Sequence, residues 1–242
     1  MLEQARTELA PTGRLRAAIN LSNFLLVTGR SANGDPEGVS PDMAAAVAER
    51  LDVGLELIPY DSPGALADAA ADDAWDIGNI GAEPERAKTI AFTAAYAEIE
   101  ATYLVPAGSS ITTVEQVDRN GVRIAVYGRS AYGLWLAENV RHAQLVRTDD
   151  QDSSVEAFVE GKLEALAGLR SKLVQEVDKL PGARILDGKF TAVQQAIGSR
   201  PHGTAGVAFL RDFVEEAKAS GLVAELIERH GVTGQLTVAP PS

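Results

Sequence analysis

Short apolar runs alternate with stretches of helical period along the chain, and this alternation predicts an α/β protein. Residues 15–21 (LRAAINL) read as a first strand, followed by a polar segment with Gly and Pro at 29–38. Ser40 before Pro41 has the form of an N-cap with proline at the first helical position. The helix then expected over 42–51 carries Met43, Ala46, Val47 and Leu51 on one face. Strands are expected at 53–59, 76–80 and 102–105, with an alanine-rich helix at 62–73. A second series begins near Ser109: a short helix at 113–117, strands at 122–126, 144–147 and 165–169, and helices at 130–140, 153–160 and 171–180. The segments 184–186 and 191–198, then helices at 204–220 and 223–230, complete the pattern. Each half therefore runs β-α-β-α-β, although no sequence repeat joins the two.

Composition narrows the functions such a chain can have. It is 45% hydrophobic and 23% charged, as expected of a globular protein rather than a disordered one. Net charge is −12, and the arginines are scattered, so no basic stripe for nucleic acid exists. An anion would have to be bound by a local arrangement of donors against an unfavourable overall field. The chain has no cysteine, which removes disulfides and thiolate chemistry. Its three histidines, His142, His202 and His230, show no metal-ligand spacing and read as residues near loops and helix ends. No metal is expected on that spacing and without cysteine, and no nucleotide cofactor, because GxGxxG and Walker sequences are absent. No run of about 18 apolar residues exists, so no membrane insertion is expected. The first ten residues lack the apolar core of a signal peptide, leaving a removed leader and a cytoplasmic protein both open.

Several segments, taken in order, resemble a known family. The run from Asp76 through Ile77-Gly78-Asn79-Ile80-Gly81-Ala82-Glu83-Pro84-Glu85-Arg86 continues into Ile90-Ala91-Phe92-Thr93-Ala94-Ala95-Tyr96. It is similar to the strand, "T-P-E-R" and "D-F-S-x-P-Y" elements of type II periplasmic solute-binding proteins, the polar-amino-acid-type substrate-binding family 3 of ABC transporters. Glu83 stands where that family has threonine, and Ala91, Thr93 and Ala95 replace Asp, Ser and Pro. The segment from Gly38 to Met43 resembles "G-F-D-x-D-L", and residues 122–130 resemble "V-G-V-x-x-G-T-T". Gly161-Lys162-Leu163-Glu164-Ala165 resembles "G-x-x-D-A", and Lys218-Ala219-Ser220-Gly221 resembles "K-A-D-G". The resemblance runs from about Gly13 to His230. It implies two lobes, residues 1–102 with 196–242 and residues 103–195, joined by crossing strands near 102–104 and 194–196. It further implies a monomer that closes on a small ligand between its lobes and works with a transporter permease, in the periplasm.

The resemblance also distributes candidate roles. Arg86 is expected to hold a ligand carboxylate, for which a guanidinium fork is well matched; the alternative is a surface arginine paired with Glu83 or Glu85. Gly81 and Ala82 would offer backbone N–H groups beside it. Ser130, after Gly128-Arg129, either receives an anion at a helix N-terminus or simply caps that helix, with Arg129 as an extra cation. Asn23 and Phe24, following Asn20 and Ser22, lie just past a strand end where α/β ligand sites gather; an Asx turn and a core aromatic are the alternatives. Asn79, within an apolar strand, needs partners if buried, and Gln194 is a similar candidate. Tyr132 and Trp135 read as helix packing.

Leu169 is the most informative departure. Family members that bind amino acids carry an aspartate there, five residues beyond the position of Glu164, to pair with the ligand ammonium. An apolar side chain leaves that charge unpaired, unless Glu83 or Glu100 supplies the counter-charge. The expected ligand is therefore a carboxylate or other anion, with Arg86, Arg129 and Arg170 converging on it. An enzyme is the competing reading. Cyclohexadienyl dehydratases share the fold, and Glu83, Glu98, Glu100 and Glu164 are available as a general acid.

Overall fold

The computed structural model describes residues 2–201 and 203–242; Met1 and the candidate His202 lie outside the described residues. In chain order the first elements are α1 (Leu2–Leu9), β1 (Arg14–Asn20), β2 (Gly29–Arg30), β3 (Pro36–Glu37), α2 (Val39–Leu51), β4 (Gly54–Tyr60), α3 (Pro63–Asp68), β5 (Ile77–Gly81) and β6 (Ala91–Val105). Then come β7 (Arg123–Tyr127), α4 (Ala131–Asn139), β8 (Gln144–Thr148), α5 (Gln151–Glu160), β9 (Ala165–Leu169), α6 (Arg170–Val177), β10 (Arg184–Ile185) and β11 (Thr191–Ser199). The chain ends in α7 (Thr204–Ala219), α8 (Leu222–Arg229) and β12 (Thr237–Val238). Two compact units result: unit 1 is Met1–Glu98 with Gln194–Ser242, and unit 2 is Ile99–Val193.

In unit 1, β1 is flanked in parallel by β4 and β5, and the end of β11 adds antiparallel to β5. Residues paired in register share a sheet face, so Ala18, Gly78, Ile80 and Gly198 look one way, and Ile19, Asn79 and Ile197 the other. On the first face Leu66, Trp75, Ile80 and Ile90 form a core. Space there is tight: a Cβ at Gly198 would lie 2.4 Å from Ile90 Cγ2, which forces a shift, and one at Gly78 3.1 Å from Leu66 Cδ2, which asks that side chain to give slightly. The two glycines, opposite in register, leave the volume that Trp75 and Ile90 fill.

Unit 2 repeats the plan. β7 lies between parallel β8 and β9, and β6 adds antiparallel to β9. Leu104, Ala125, Phe158, Leu163, Leu166 and Leu173 form its core.

Both units use the same clamp. Asp76, just before β5, accepts from the Arg16 backbone N–H at 2.9 Å and from its guanidinium at 3.1 and 2.9 Å. Glu164, just before β9, accepts from the Arg123 N–H at 2.8 Å and from its guanidinium at 2.9 and 2.8 Å. Each arginine also donates to carbonyls in the preceding turn, of Asp73 in unit 1 and of Gly161 and Lys162 in unit 2. Arg123 thereby holds the Glu164 carboxyl below the usual carboxylate range.

Two expectations change. Ser40 is not a cap: α2 begins at Val39 with Gly38 as N-cap, and the Ser40 N–H donates to the Leu26 carbonyl at 3.1 Å. Gly38 has φ 152, and a Cβ there would sit 2.2 Å from the Leu26 oxygen, so the entry to the helix needs glycine. Pro41 is tolerated because first-turn N–H groups have no intrahelical acceptor. The helix expected over 62–73 is α3 followed by a 3-10 turn, Ala69–Asp72, ended by Asp73 in the left-handed region. No described helix is long and apolar enough to cross a membrane.

Candidate ligand-binding site

In unit 1 the candidate residues gather at the end of β5. Asn79 is 1% exposed, between Ile19 and Ile197 in register, and neither its Oδ1 nor its Nδ2 has a hydrogen-bond partner. Two residues on, the Gly81 carbonyl accepts from Arg86 Nη1 at 2.7 Å. The Ala82 N–H donates to the Gln194 carbonyl at 2.7 Å, and the Ala87 N–H to the Glu83 carbonyl at 2.8 Å. Arg86 and Glu83 are both buried, at 4% and 8% exposure. A surface arginine is therefore not what this loop holds. Its guanidinium is buried and donates to the Gly81 carbonyl through Nη1, with the buried Glu83 in the same loop.

The loop after β1 is organised by its own side chains. Asn20 Oδ1 accepts from the Ser22 N–H at 3.1 Å and hydroxyl at 2.8 Å, and Asn23 Oδ1 from the Leu25 N–H at 3.2 Å. Asn23 forms an Asx turn and is buried, while Phe24 is half-buried. Gln194 Nε2 donates to Glu98 Oε1 at 3.0 Å. Sequence reasoning passed over its neighbour Gln195, 3% exposed and opposite Gly81 in register; alternation along β11 is the signal that places it on the Asn79 face.

In unit 2 the candidates are committed to local structure. Ser130 caps α4, accepting from the Gly133 N–H at 2.9 Å, and its hydroxyl donates to the Tyr127 carbonyl at 2.7 Å. Arg129 beside it is exposed. Arg170 Nε donates to Glu100 Oε2 at 2.9 Å and Nη2 to the Gly188 carbonyl, so Arg170 and Glu100 neutralise each other. Leu169 ends β9, buried at 5% exposure. Trp135 and Tyr103 both pack on Phe190, with ring centroids 5.6 and 4.5 Å away. Tyr132 is buried, and burial pushes its phenol up. His230 bonds Asp42 Oδ2 at 2.8 Å through Nε2 and Thr28 at 3.4 Å through Nδ1, a link between α8 and α2. His142 is exposed. The described residues contain no cluster of metal-ligating side chains.

The fold has close likenesses among solved structures. A mutant of ArgBP from T. maritima superposes with a TM-score of 0.70 at 22% identity, covering 94% of this chain and 99% of its own. The ancestral amino acid-binding protein AncCDT-1, a precursor of cyclohexadienyl dehydratase, gives 0.71 at 20% identity, over 92% of this chain and 97% of its own. A putative ABC-transporter binding component from Wolinella succinogenes DSM 1740, complexed with lysine, gives 0.72 at 19% identity, over 90% and 95%. No curated protein matches the sequence. The model of bacterial extracellular solute-binding proteins, family 3, matches residues 23–233, and the chain belongs to that family.

Proposed function

We propose that this chain is the ligand-binding component of an ABC-type transporter and that its solute carries a carboxylate. The observation that carries this reading is the buried guanidinium of Arg86, held on the Gly81 carbonyl beside an Asn79 amide that no protein group satisfies. A carboxylate supplies acceptors for the guanidinium fork, and a solute with both donor and acceptor groups would satisfy the amide. Leu169 stands where the family's amino-acid binders carry an aspartate for the ligand ammonium, and Glu100 is already paired with Arg170 and, at 3.8 Å, with Lys189. These features favour an anionic solute over a cationic amino acid.

The second reading, an amino acid ligand, is favoured by the likeness to the lysine complex from Wolinella succinogenes. A dehydratase is a third, favoured by the likeness to the precursor of cyclohexadienyl dehydratase. The test is a thermal-shift screen of carboxylates, amino acids and phosphorylated metabolites, repeated with Arg86→Ala and Arg86→Lys. A ligand at a hundred times its Kd stabilises by about 2.7 kcal/mol. For a chain of this size that raises Tm by roughly 5–10 °C. The expected result is a shift from carboxylates that Arg86→Ala abolishes and Arg86→Lys weakens, without turnover of the bound compound. A shift confined to zwitterionic amino acids would overturn the anionic assignment, and consumption of the hit would establish an enzyme.

A further inference from the structure

We infer that unit 1 carries a second small-molecule site, along α7, for a ligand with an apolar body and a single ammonium head. Helix α1 is laid onto the start of α7. A Cβ at Gly206 would lie 2.9 Å from Leu9 Cγ, so glycine lets the two helices approach there, and Glu8 Oε2 accepts from the Gly206 N–H at 2.7 Å. Arg6 ties the same helix to the end of α2, its Nε donating to the Leu51 carbonyl at 2.6 Å. At the other end of α1 a groove of about 420 Å³ opens between Leu2, Arg50 and α7. That volume lies in the range of small-molecule sites. None of the lining residues belongs to the loops around Arg86.

Helical spacing sets the lining. Ala205, Ala208, Phe209, Asp212, Phe213 and Glu216 recur at intervals of three and four residues along α7 and so share one stripe. The two alanines leave a trough, and Phe209 and Phe213 stack beside it with ring centroids 6.4 Å apart. Leu2 faces them from α1. It is 46% exposed, one of four large apolar side chains left so among the described residues, and the body of an apolar ligand would cover it.

Charge selects the ligand. Arg50 donates to both Glu216 carboxylate oxygens, at 3.0 and 2.7 Å, so the charges of this pair cancel. Asp212 is exposed, and among the described residues its carboxylate has no partner. The charge left open in the groove is therefore negative. The ring faces of Phe209 and Phe213 are electron-rich as well and attract a cation within about 6 Å. A net charge of −12 concentrates cations, not anions, near the surface. An aryl- or alkylammonium ion meets all of these conditions: its body fills the trough beside Leu2 and its head pairs with Asp212. An anion of the kind proposed for Arg86 is disfavoured here by the same charges, so the two sites select opposite ligands.

The test is amide chemical-shift titration of the intact chain with 2-phenylethylammonium chloride and, separately, with sodium 3-phenylpropanoate, which has the same ring and spacer but the opposite charge. The ammonium probe should give saturable shifts at Ala205, Ala208 and Phe209, and the carboxylate probe should bind there several-fold more weakly. Asp212→Asn, an exposed change that should leave Tm where it is, should weaken the ammonium probe about three- to fivefold, the worth of an exposed ion pair. Ala208→Phe fills the trough and should abolish the response. Shifts that stay linear, equal binding of the two probes, or binding unchanged in Asp212→Asn would each overturn the site. A dimer of the free chain in sedimentation, with the same amides shifting on dilution, would overturn it in favour of a second copy in the groove. Arg86→Ala should leave the α7 response intact, so failure here and failure of the carboxylate reading at Arg86 are separate outcomes.

Discussion

Replacing Asn79 by leucine, its nearest apolar isostere, should stabilise the ligand-free protein and impair its binding. In the folded chain both polar atoms of the amide are buried without partners, between Ile19 and Ile197. Each such atom costs about 1–3 kcal/mol, and part of that returns as strain when the slightly different leucine is seated. A net gain of about 2 kcal/mol is expected, which for a chain of this length raises Tm by roughly 4–8 °C. Urea denaturation should show the midpoint move without a change in slope, the sign that stability rather than compactness has changed. The cost falls on binding: a carboxylate identified with the parent protein should bind about tenfold more weakly, or worse, to Asn79→Leu. Stability and function then move in opposite directions, as they do where a site is built from groups the fold itself does not need. A lower Tm in Asn79→Leu would refute the reasoning, because it would mean that the amide is satisfied in the resting protein by something leucine cannot replace.

Three further outcomes test the packing and electrostatics. Asp76→Ala removes a carboxylate with no exposed side-chain surface that pairs with Arg16 at 2.9 Å and Arg200 at 3.0 Å, and denaturant titration should show a loss of about 3–5 kcal/mol. Gly198→Ala places a methyl against Ile90 and Phe92, and calorimetry should show a destabilisation of about 1–3 kcal/mol. Asp118 accepts from the N–H groups of Arg141, His142 and Ala143 at 2.7–2.9 Å; burial opposes its charge, yet these donors hold its carboxyl below the usual range. A depressed folded pKa means its stabilisation is complete above the unfolded value near 3.9 and is lost as pH falls through the folded one. Urea midpoints measured from about pH 5 down to pH 3 should therefore fall less steeply in Asp118→Asn than in the parent.

The α/β plan was legible because the inner strands β5 and β9 are buried on both faces and read as short apolar runs, while β4 alternates. Residues 165–169 were placed to the residue, since ALAGL between Glu164 and Arg170 is bounded by charge at both ends. The two-residue strands β2, β3 and β12 escaped, and so did two longer elements. Helix α1 buries only Ala5 and Leu9, too narrow a stripe to stand out among Glu3, Arg6 and Glu8. Strand β6 is fifteen residues long, but only its apolar end, 102–105, was read as strand, because its first half is alanine-rich and carries weak β propensity. At the candidate site, Arg86 is proposed from its motif, whereas its burial and its bond to Gly81 depend on how β5 meets the following turn. The isolation of the Asn79 amide and the Ser171 hydroxyl was out of reach, because it is a property of every neighbour taken together.

The repeated clamp shows where the two units diverge in chemistry. Arg16 with Asp76 and Arg123 with Glu164 fix the same corner, the start of the first strand against the start of the third, with matching backbone and guanidinium donors. A corner held this tightly at one end of the sheet frees the other end to vary. In unit 1 the strand so anchored ends in Asn79 and Gly81 and leads to a buried arginine. In unit 2 it ends in Leu169 and leads directly into an uncapped helix with a buried hydroxyl. In unit 1 the unsatisfied Asn79 amide lies on the clamped strand, whereas the unsatisfied hydroxyls of Tyr96 and Ser199 lie on β6 and β11; in unit 2 the unsatisfied Ser171 hydroxyl lies just past the clamped strand, on α6. An open group costs about 1–3 kcal/mol, and a strand clamped at its other end cannot shift to relieve it.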